Sequence, residues 1–356
     1  MRNQSTRLAV VAALMSAALS GTAASERQLV TVRMSVDEDP IVIRLAESLG
    51  SFEQEGLNVV KVDLERLGIH DYLIQEPLVK GQIDAAYHWF NHAIYGARHG
   101  FPIRALMLFN DAPGMTILVA NGLKDQIRSA ADFKGKRVAE GAGYGTKSVI
   151  TNYLATKAGL PPGSYTPVMT GKEGRQQAVI SGLKQGGVDV MTFQEPVTSA
   201  LLGTGMVSTL YELNSRESTS RVLGAPFPAQ SLLMSPGFIQ GHPETAQHLV
   251  NALVRSMRFI NAHGAEEIAA KLPADYFAGK DRDAEIRFIR NTLSTYAKGD
   301  YSIAPTAVQL AISINLSSNF DQSVEGRWRA SGDKSRVSAN ELYTNAFVNK
   351  AMQQIH

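Results

Sequence analysis

The sequence predicts an α/β protein whose parallel-rich sheets are flanked by helices. Two observations carry this. Short apolar strands alternate with helical patterns as far as Pro236, and alternation of this kind builds parallel sheets covered on both faces. Beyond Pro236 the texture is helical, over residues 242–262, 265–272, 281–298, 305–315 and 339–352. The chain has 356 residues, enough for two domains.

The elements follow in order. Residues 29–36 (LVTVRMSV) read as the first strand, and residues 41–52 as a helix with apolar positions at 3–4 spacing. Strands are predicted at 57–64, 83–87, 103–109, 114–120, 137–140, 188–192 and 206–210. Helices fall between them at 91–99, 146–158, 173–185 and 195–202, and Pro243 stands in the first turn of the long helix at 242–262. Neither a sequence repeat nor a low-complexity linker is apparent.

The start of the chain reads as an export signal. Arg2 and Arg7 precede an apolar run over residues 8–19, too short for the ~20 residues that span a bilayer. Thr22, Ala23 and Ala24 follow as small residues before Ser25, so cleavage is expected after Ala24. The chain has no cysteine, which excludes a lipid anchor at the cleavage site, disulfides, a thiolate nucleophile and thiolate metal ligands. Loss of Arg2 and Arg7 lowers Lys plus Arg from 35 to 33, against 33 Asp plus Glu, and a net charge near zero argues against a nucleic-acid surface. The expected location is the periplasm, with no membrane anchor.

Residues 132–160 contain a glycine-rich turn between a short strand and a helix. Gly141, Gly143 and Gly145 leave the turn open to close approach by a ligand, and Thr146 and Ser148 stand where the helix dipole favours an anion. The turn, GAGYGTKS, is not a nucleotide cradle. It lacks the G-x-G-x-x-G spacing, and Thr146 separates Gly145 from Lys147 where a phosphate loop needs Gly directly before Lys. A G-x-S-x-G elbow is absent, as is an H-E-x-x-H pattern. His88 and His92 share helical spacing, but no carboxylate completes a metal set, so no metal or cofactor is expected and the protein is not predicted to be an enzyme.

Several segments resemble the periplasmic binding proteins of ABC importers, in the NMT1-like group serving nitrate, sulfonates, taurine and thiamine-precursor pyrimidines. They are residues 49–59 (LGSFEQEGLNV), Gly81-Gln82-Ile83-Asp84-Ala85-Ala86, residues 127–138 (IRSAADFKGKRV), His242-Pro243-Glu244 opening a helix, and residues 342–351 (LYTNAFVNKA). The 127–138 box, similar to the family's DLKGKKV segment, is the most specific. The resemblance implies a type II periplasmic-binding-protein fold. Its two lobes would be 25–116 plus 226–356, and 117–225, joined by two crossover strands, with ligand held between them. It also implies a small-molecule ligand and the transmembrane subunits of an ABC permease as partners; a monomer is expected. Eukaryotic pyrimidine synthases resemble the same family but use a cysteine-rich segment, which this chain lacks.

In open α/β sheets ligands bind beyond the carboxyl ends of strands. Candidate contacts are therefore Asp37 and Glu38; His88, Trp89, Phe90 and Asn91; Gly143, Tyr144, Gly145, Thr146 and Ser148; and Gln194 and Glu195. The segment 110–114 reads as a hinge turn at the first crossover. Trp89, Phe90 and Tyr144 would supply stacking surface, while Glu195 would face the ligand or favour the start of its own helix. Two ligand classes remain open: a small organic anion, sulfonate or carboxylate, or a heteroaromatic such as a thiamine-precursor pyrimidine. A secreted sensor without a transport role is the alternative of another class.

Overall fold

The computed structural model describes residues 28–36, 39–69, 73–140, 145–168, 175–317 and 337–355. The expected signal segment lies outside the described residues, as do Asp37, Glu38, Gly143 and Tyr144.

The chain opens with β1 (Val30–Val36), α1 (Ile41–Ser48), α2 (Ser51–Gln54), β2 (Leu57–Val62), α3 (Gln75–Val79), β3 (Ala85–Trp89), α4 (Asn91–His99) and β4 (Arg104–Leu108). It crosses to β5 (Met115–Ala120), then β6 (Arg137–Ala139), α5 (Thr146–Lys157), β7 (Thr166–Val168), α6 (Arg175–Lys184), β8 (Val190–Gln194), α7 (Val197–Gly203) and β9 (Val207–Leu213). After α8 (Arg216–Leu223) it returns through β10 (Gln230–Met234). It ends in α9 (Pro236–Gly241), α10 (Pro243–Ala262), α11 (Ala265–Lys271), α12 (Arg282–Thr292), α13 (Pro305–Ser317), α14 (Ala339–Leu342) and α15 (Ala346–Gln354).

The strands form two five-stranded sheets with orders β2-β1-β3-β10-β4 and β7-β6-β8-β5-β9. The two orders correspond strand for strand. In each, a central strand pairs in parallel with both neighbours (β1 with β2 and β3; β6 with β7 and β8). In each, the strand that has crossed from the other sheet runs antiparallel (β10 against β3 and β4; β5 against β8 and β9). Both sheets are thus mixed rather than purely parallel, because each admits one strand from the opposite direction.

The correspondence extends to side chains, although no repeat is evident in the sequence. Arg33 on β1 donates from its backbone N and Nε to Asp84 Oδ2 at 2.8 and 3.0 Å, and from a terminal nitrogen to Oδ1 at 2.6 Å. Arg137 on β6 makes the same three bonds to Asp189, at 2.8, 3.0 and 2.6 Å. Each aspartate lies just ahead of its strand, in Gln82-Ile83-Asp84 and Gly187-Val188-Asp189. A charge-assisted fork of this kind fixes the strand pair's register.

The crossovers are bonded to one another. Phe227 N donates to Asp111 O at 3.1 Å and Ala229 N to Asn110 O at 2.9 Å. Asn110 Nδ2 reaches Thr295 Oγ1 at 2.8 Å. Asp111 is buried and accepts from Arg216 at 2.9 Å; burial nevertheless pushes its carboxyl up, against the pull of Arg216.

Two predicted helices are broken. The segment 41–52 divides into α1 and α2 because Gly50 adopts a left-handed backbone, φ 63°. The segment 339–352 divides because Tyr343 is extended and bridges Ala105, while the Asn345 side chain bonds the backbone N and O of Ile303 at 3.0 and 3.1 Å. The long α10 forms as its pattern predicts. Leu249, Val250, Leu253, Val254, Met257 and Ile260 are buried at helical spacing, and the helix packs on α1 and α15. Each such side chain contributes roughly 1.5–3 kcal/mol on burial.

Candidate functional site

The corresponding sheets pair the candidate loops. The end of β1 corresponds to the end of β6, which leads to the glycine turn. The end of β3, at His88–Asn91, corresponds to the end of β8, at Phe193–Glu195. Among the described residues, the candidates lie in the last residues of a strand or at the start of the helix that follows it.

On the second sheet, α5 begins at Thr146 with Gly145 extended before it and no side-chain cap. Thr146 and Ser148 are both buried. Ser148 donates from Oγ to the carbonyl of Glu140 at 3.2 Å, tying the helix start to the end of β6. One turn on, Thr151 Oγ1 lies 2.9 Å from Thr192 Oγ1 of β8. The Lys147 ammonium stands 5.7 Å from the ring centroid of buried Phe193. A helix start and a cation are thereby gathered at one end of the sheet, which suits an anion, while the Phe193 ring beneath the ammonium is packed in the core.

Glu140 and Tyr165 add a buried polar pair that sequence reasoning missed. The Tyr165 hydroxyl donates to Glu140 Oε2 at 2.9 Å. Burial pushes the Glu140 carboxyl from 4.5 to about 7, only partly opposed by that bond. Burial first, and then the Glu140 charge, push the Tyr165 phenol far above its ordinary range. The available signal was a lone acid at the end of an apolar strand, directly before the glycine turn.

Gln194 and Glu195 are held by the protein itself. Gln194 Nε2 donates to Pro113 O at 3.0 Å, across to the first crossover. Glu195 accepts from Ser199 Oγ at 2.8 Å and Ser199 N at 3.4 Å, so it stabilises the start of α7. Ser199 Oγ also accepts from Asn291 Nδ2 of α12 at 3.2 Å.

On the first sheet, β3 runs two residues further than its pattern predicts, and His88 and Trp89 belong to the strand. His88 is buried; its Nδ1 accepts from Trp89 N–H at 2.9 Å, which places the proton of the neutral ring on Nε2. Its ring meets that of His92 edge-on at 4.2 Å, and His92 Nδ1 lies 3.3 Å from Gln75 Oε1. Asn91 donates to the Tyr95 hydroxyl at 3.1 Å. Phe90, considered as a stacking surface, is instead fully buried and packed in the hydrophobic core, because the chain turns into α4 at that residue. Trp89 remains half-buried. The apolar helix α13 packs against both α4 and α5, the helices that begin at the candidate residues of the two sheets.

The sequence over residues 34–274 matches the model of the NMT1-like family. The chain belongs to the NMT1-like family. Among curated proteins none matches by sequence. Solved structures share the fold of this NMT1-like protein. The periplasmic aliphatic sulphonate-binding protein SsuA of Escherichia coli is 17% identical, with 80% of this chain and 85% of that one covered and a TM-score of 0.62. The periplasmic nitrate-binding protein NrtA of Synechocystis PCC 6803 is 15% identical, covering 92% and 90% with a TM-score of 0.65. The desulfurization enzyme DSZB is 14% identical, covering 92% and 99% with a TM-score of 0.58. The NMT1-like protein therefore has the two-sheet α/β fold of periplasmic binding proteins, a fold that also carries an enzyme.

Elsewhere on the NMT1-like protein a shallow pocket of about 350 Å³ lies between α2 and α10, lined by Gln54, Arg255, Arg258 and Phe259 among others. Its cations are committed, Arg255 to Glu55 and Arg258 to the Ile355 carbonyl, and it lies away from the candidate loops. Among the described residues no group of three or more His, Cys, Asp or Glu is placed to hold a metal, and no helix is long and apolar enough to cross a membrane.

Proposed function

We propose that the protein is the periplasmic solute-binding component of an ABC importer, exported through the signal at residues 1–24. It captures a small organic anion, a sulfonate or carboxylate, between lobes at 25–116 plus 226–356 and at 117–225, and delivers it to a membrane permease as a monomer. The observation that carries this reading is the end of the second sheet, where the uncapped start of α5 meets Lys147 over the Phe193 ring. The positive end of a helix and a nearby ammonium favour the charged end of such a solute. The sulfonate- and nitrate-binding proteins that share its fold support the ligand class. The site carries binding and no chemistry.

A second reading, a thiamine-precursor pyrimidine, draws on Glu140, a buried carboxyl that is half protonated near pH 7 and able to pair with an aminopyrimidine. Closure around either ligand is a hinge motion about the bonded crossovers.

A thermal-shift panel separates the readings. Alkyl and aryl sulfonates, taurine, aromatic carboxylates, nitrate and aminopyrimidines are each added to the protein. A true ligand at 100 times its Kd adds about 2.7 kcal/mol of apparent stability. Stabilisation by sulfonates or carboxylates supports the anion reading. Stabilisation by aminopyrimidines alone replaces it with the second.

A further inference from the structure

Among the described residues, Asn91 Oδ1 at the start of α4 and Ser231 Oγ on β10 are buried without a hydrogen-bond partner. Asn91 is 3% exposed and Ser231 0%. Ser231 on β10 pairs with His88 on β3 in antiparallel register, so the two side chains leave the same face of the sheet. The His88 ring touches the His92 ring of α4, which identifies that face as the one α4 covers. Asn91 is the first residue of α4, and its amide is only half used: Nδ2 bonds Tyr95 and Oδ1 bonds nothing. Ser231 therefore faces α4 beside His88, and Asn91 opens α4, so both residues lie near the carboxyl end of β3, where open α/β sheets bind ligands. A buried carbonyl and hydroxyl left unpaired cost free energy, and a ligand group that pairs with both recovers it on binding.

We propose that Asn91 and Ser231 form a subsite for a hydroxyl carried by the ligand. A single hydroxyl satisfies both atoms, since it donates to Asn91 Oδ1 while accepting from Ser231 Oγ–H. The solute is then a hydroxylated sulfonate or carboxylate, with its anionic end at the start of α5 and its hydroxyl under α4. This rests on the anion reading of the site. Nitrate and unsubstituted alkanesulfonates have no donor and leave Asn91 Oδ1 unpaired.

Calorimetric titration with size-matched pairs tests the subsite: 2-hydroxyethanesulfonate against propane-1-sulfonate, and 3-hydroxypropanoate against butanoate. The hydroxylated member of a binding pair is expected to bind at least about tenfold more tightly, and Ser231→Ala is expected to bring that ratio close to one. Equal affinities within a pair, or a ratio unmoved by Ser231→Ala, overturn the subsite while leaving the anion reading intact. Failure of all four anions to bind overturns both. The melting midpoint of ligand-free Ser231→Ala gives an independent check. It is expected to stay within about 1 °C of the parent, because no bond is lost. A fall of several degrees means that Ser231 Oγ has a structural partner, an ordered water included, and overturns the proposal.

Discussion

The Tyr165 hydroxyl bonds the Glu140 carboxylate at 2.9 Å in the interior, one residue ahead of the glycine turn. The bond holds the end of β6 and puts a buried titratable group directly before the glycine turn in sequence.

Stability should depend on pH through Glu140. Its carboxyl titrates near 4.5 when free and, pushed up by burial, at about 7 in the folded protein. Between these values the folded protein keeps a proton that the unfolded chain has released. The stability this contributes is complete below about 4.5 and is lost as pH rises through about 7, by on the order of 3 kcal/mol. Glu140→Gln removes that dependence. Urea unfolding at about pH 5 and about pH 8 is expected to show the parent losing more stability than the variant.

The two arginine–aspartate forks should matter alike. Burial alone would raise the Asp189 carboxyl, but bonds from the Arg137 side chain and backbone hold it below its ordinary value. The stability it contributes is present above the ordinary carboxylate range and is lost as pH falls through the lowered value. Asp189→Ala is expected to cost about 2 kcal/mol, moderated by the exposure of Arg137, and Asp84→Ala a similar amount. Denaturant unfolding measures both; a loss at one site only would break the correspondence between the sheets.

Gly96 on α4 has no room for a side chain. A Cβ there would lie 2.3 Å from the Phe101 carbonyl oxygen and 3.3 Å from Gln75 Cβ. Gly96→Ala is expected to destabilise by about 1–3 kcal/mol and to displace the helix that begins at Asn91. Chemical denaturation reads the first effect and ligand titration the second.

Charge at the second sheet should act in opposite senses. Lys147→Gln removes the ammonium beside Phe193 and is expected to weaken anion binding roughly three- to tenfold. Glu195→Gln removes a negative charge at the start of α7 and is expected to keep or strengthen it. Titration of both variants with one sulfonate checks the pair; a large loss in Glu195→Gln contradicts an anionic ligand.

Much of this architecture was legible in the sequence, and the losses have identifiable causes. The helix Asn91–His99 and the body of α10 follow directly from apolar spacing. β7 was missed because it is three residues long and contains Pro167; β10 because Gln230–Met234 does not alternate, being buried on both faces from Ser231 onward. The correspondence between the sheets was invisible because it rests on spatial Arg–Asp pairs 51 and 52 residues apart. Sequence reasoning placed a helix start, a histidine and an asparagine at strand ends. Phe90 faced the core instead, since a strand-end aromatic looks the same whether it packs inward or meets a ligand. Ser231 carried no pattern of its own, and only register and burial single it out, whereas Glu140 stood as a lone acid at the end of an apolar strand whose burial the sequence does not show.

The most direct test of the binding account is a titration of the protein with a small organic sulfonate, followed by recovery of the solute and its analysis by nuclear magnetic resonance. The account predicts saturable binding of one solute per chain, with the sulfonate recovered unchanged. Absence of binding across the sulfonates and carboxylates, or conversion of the solute to a new species, would contradict it.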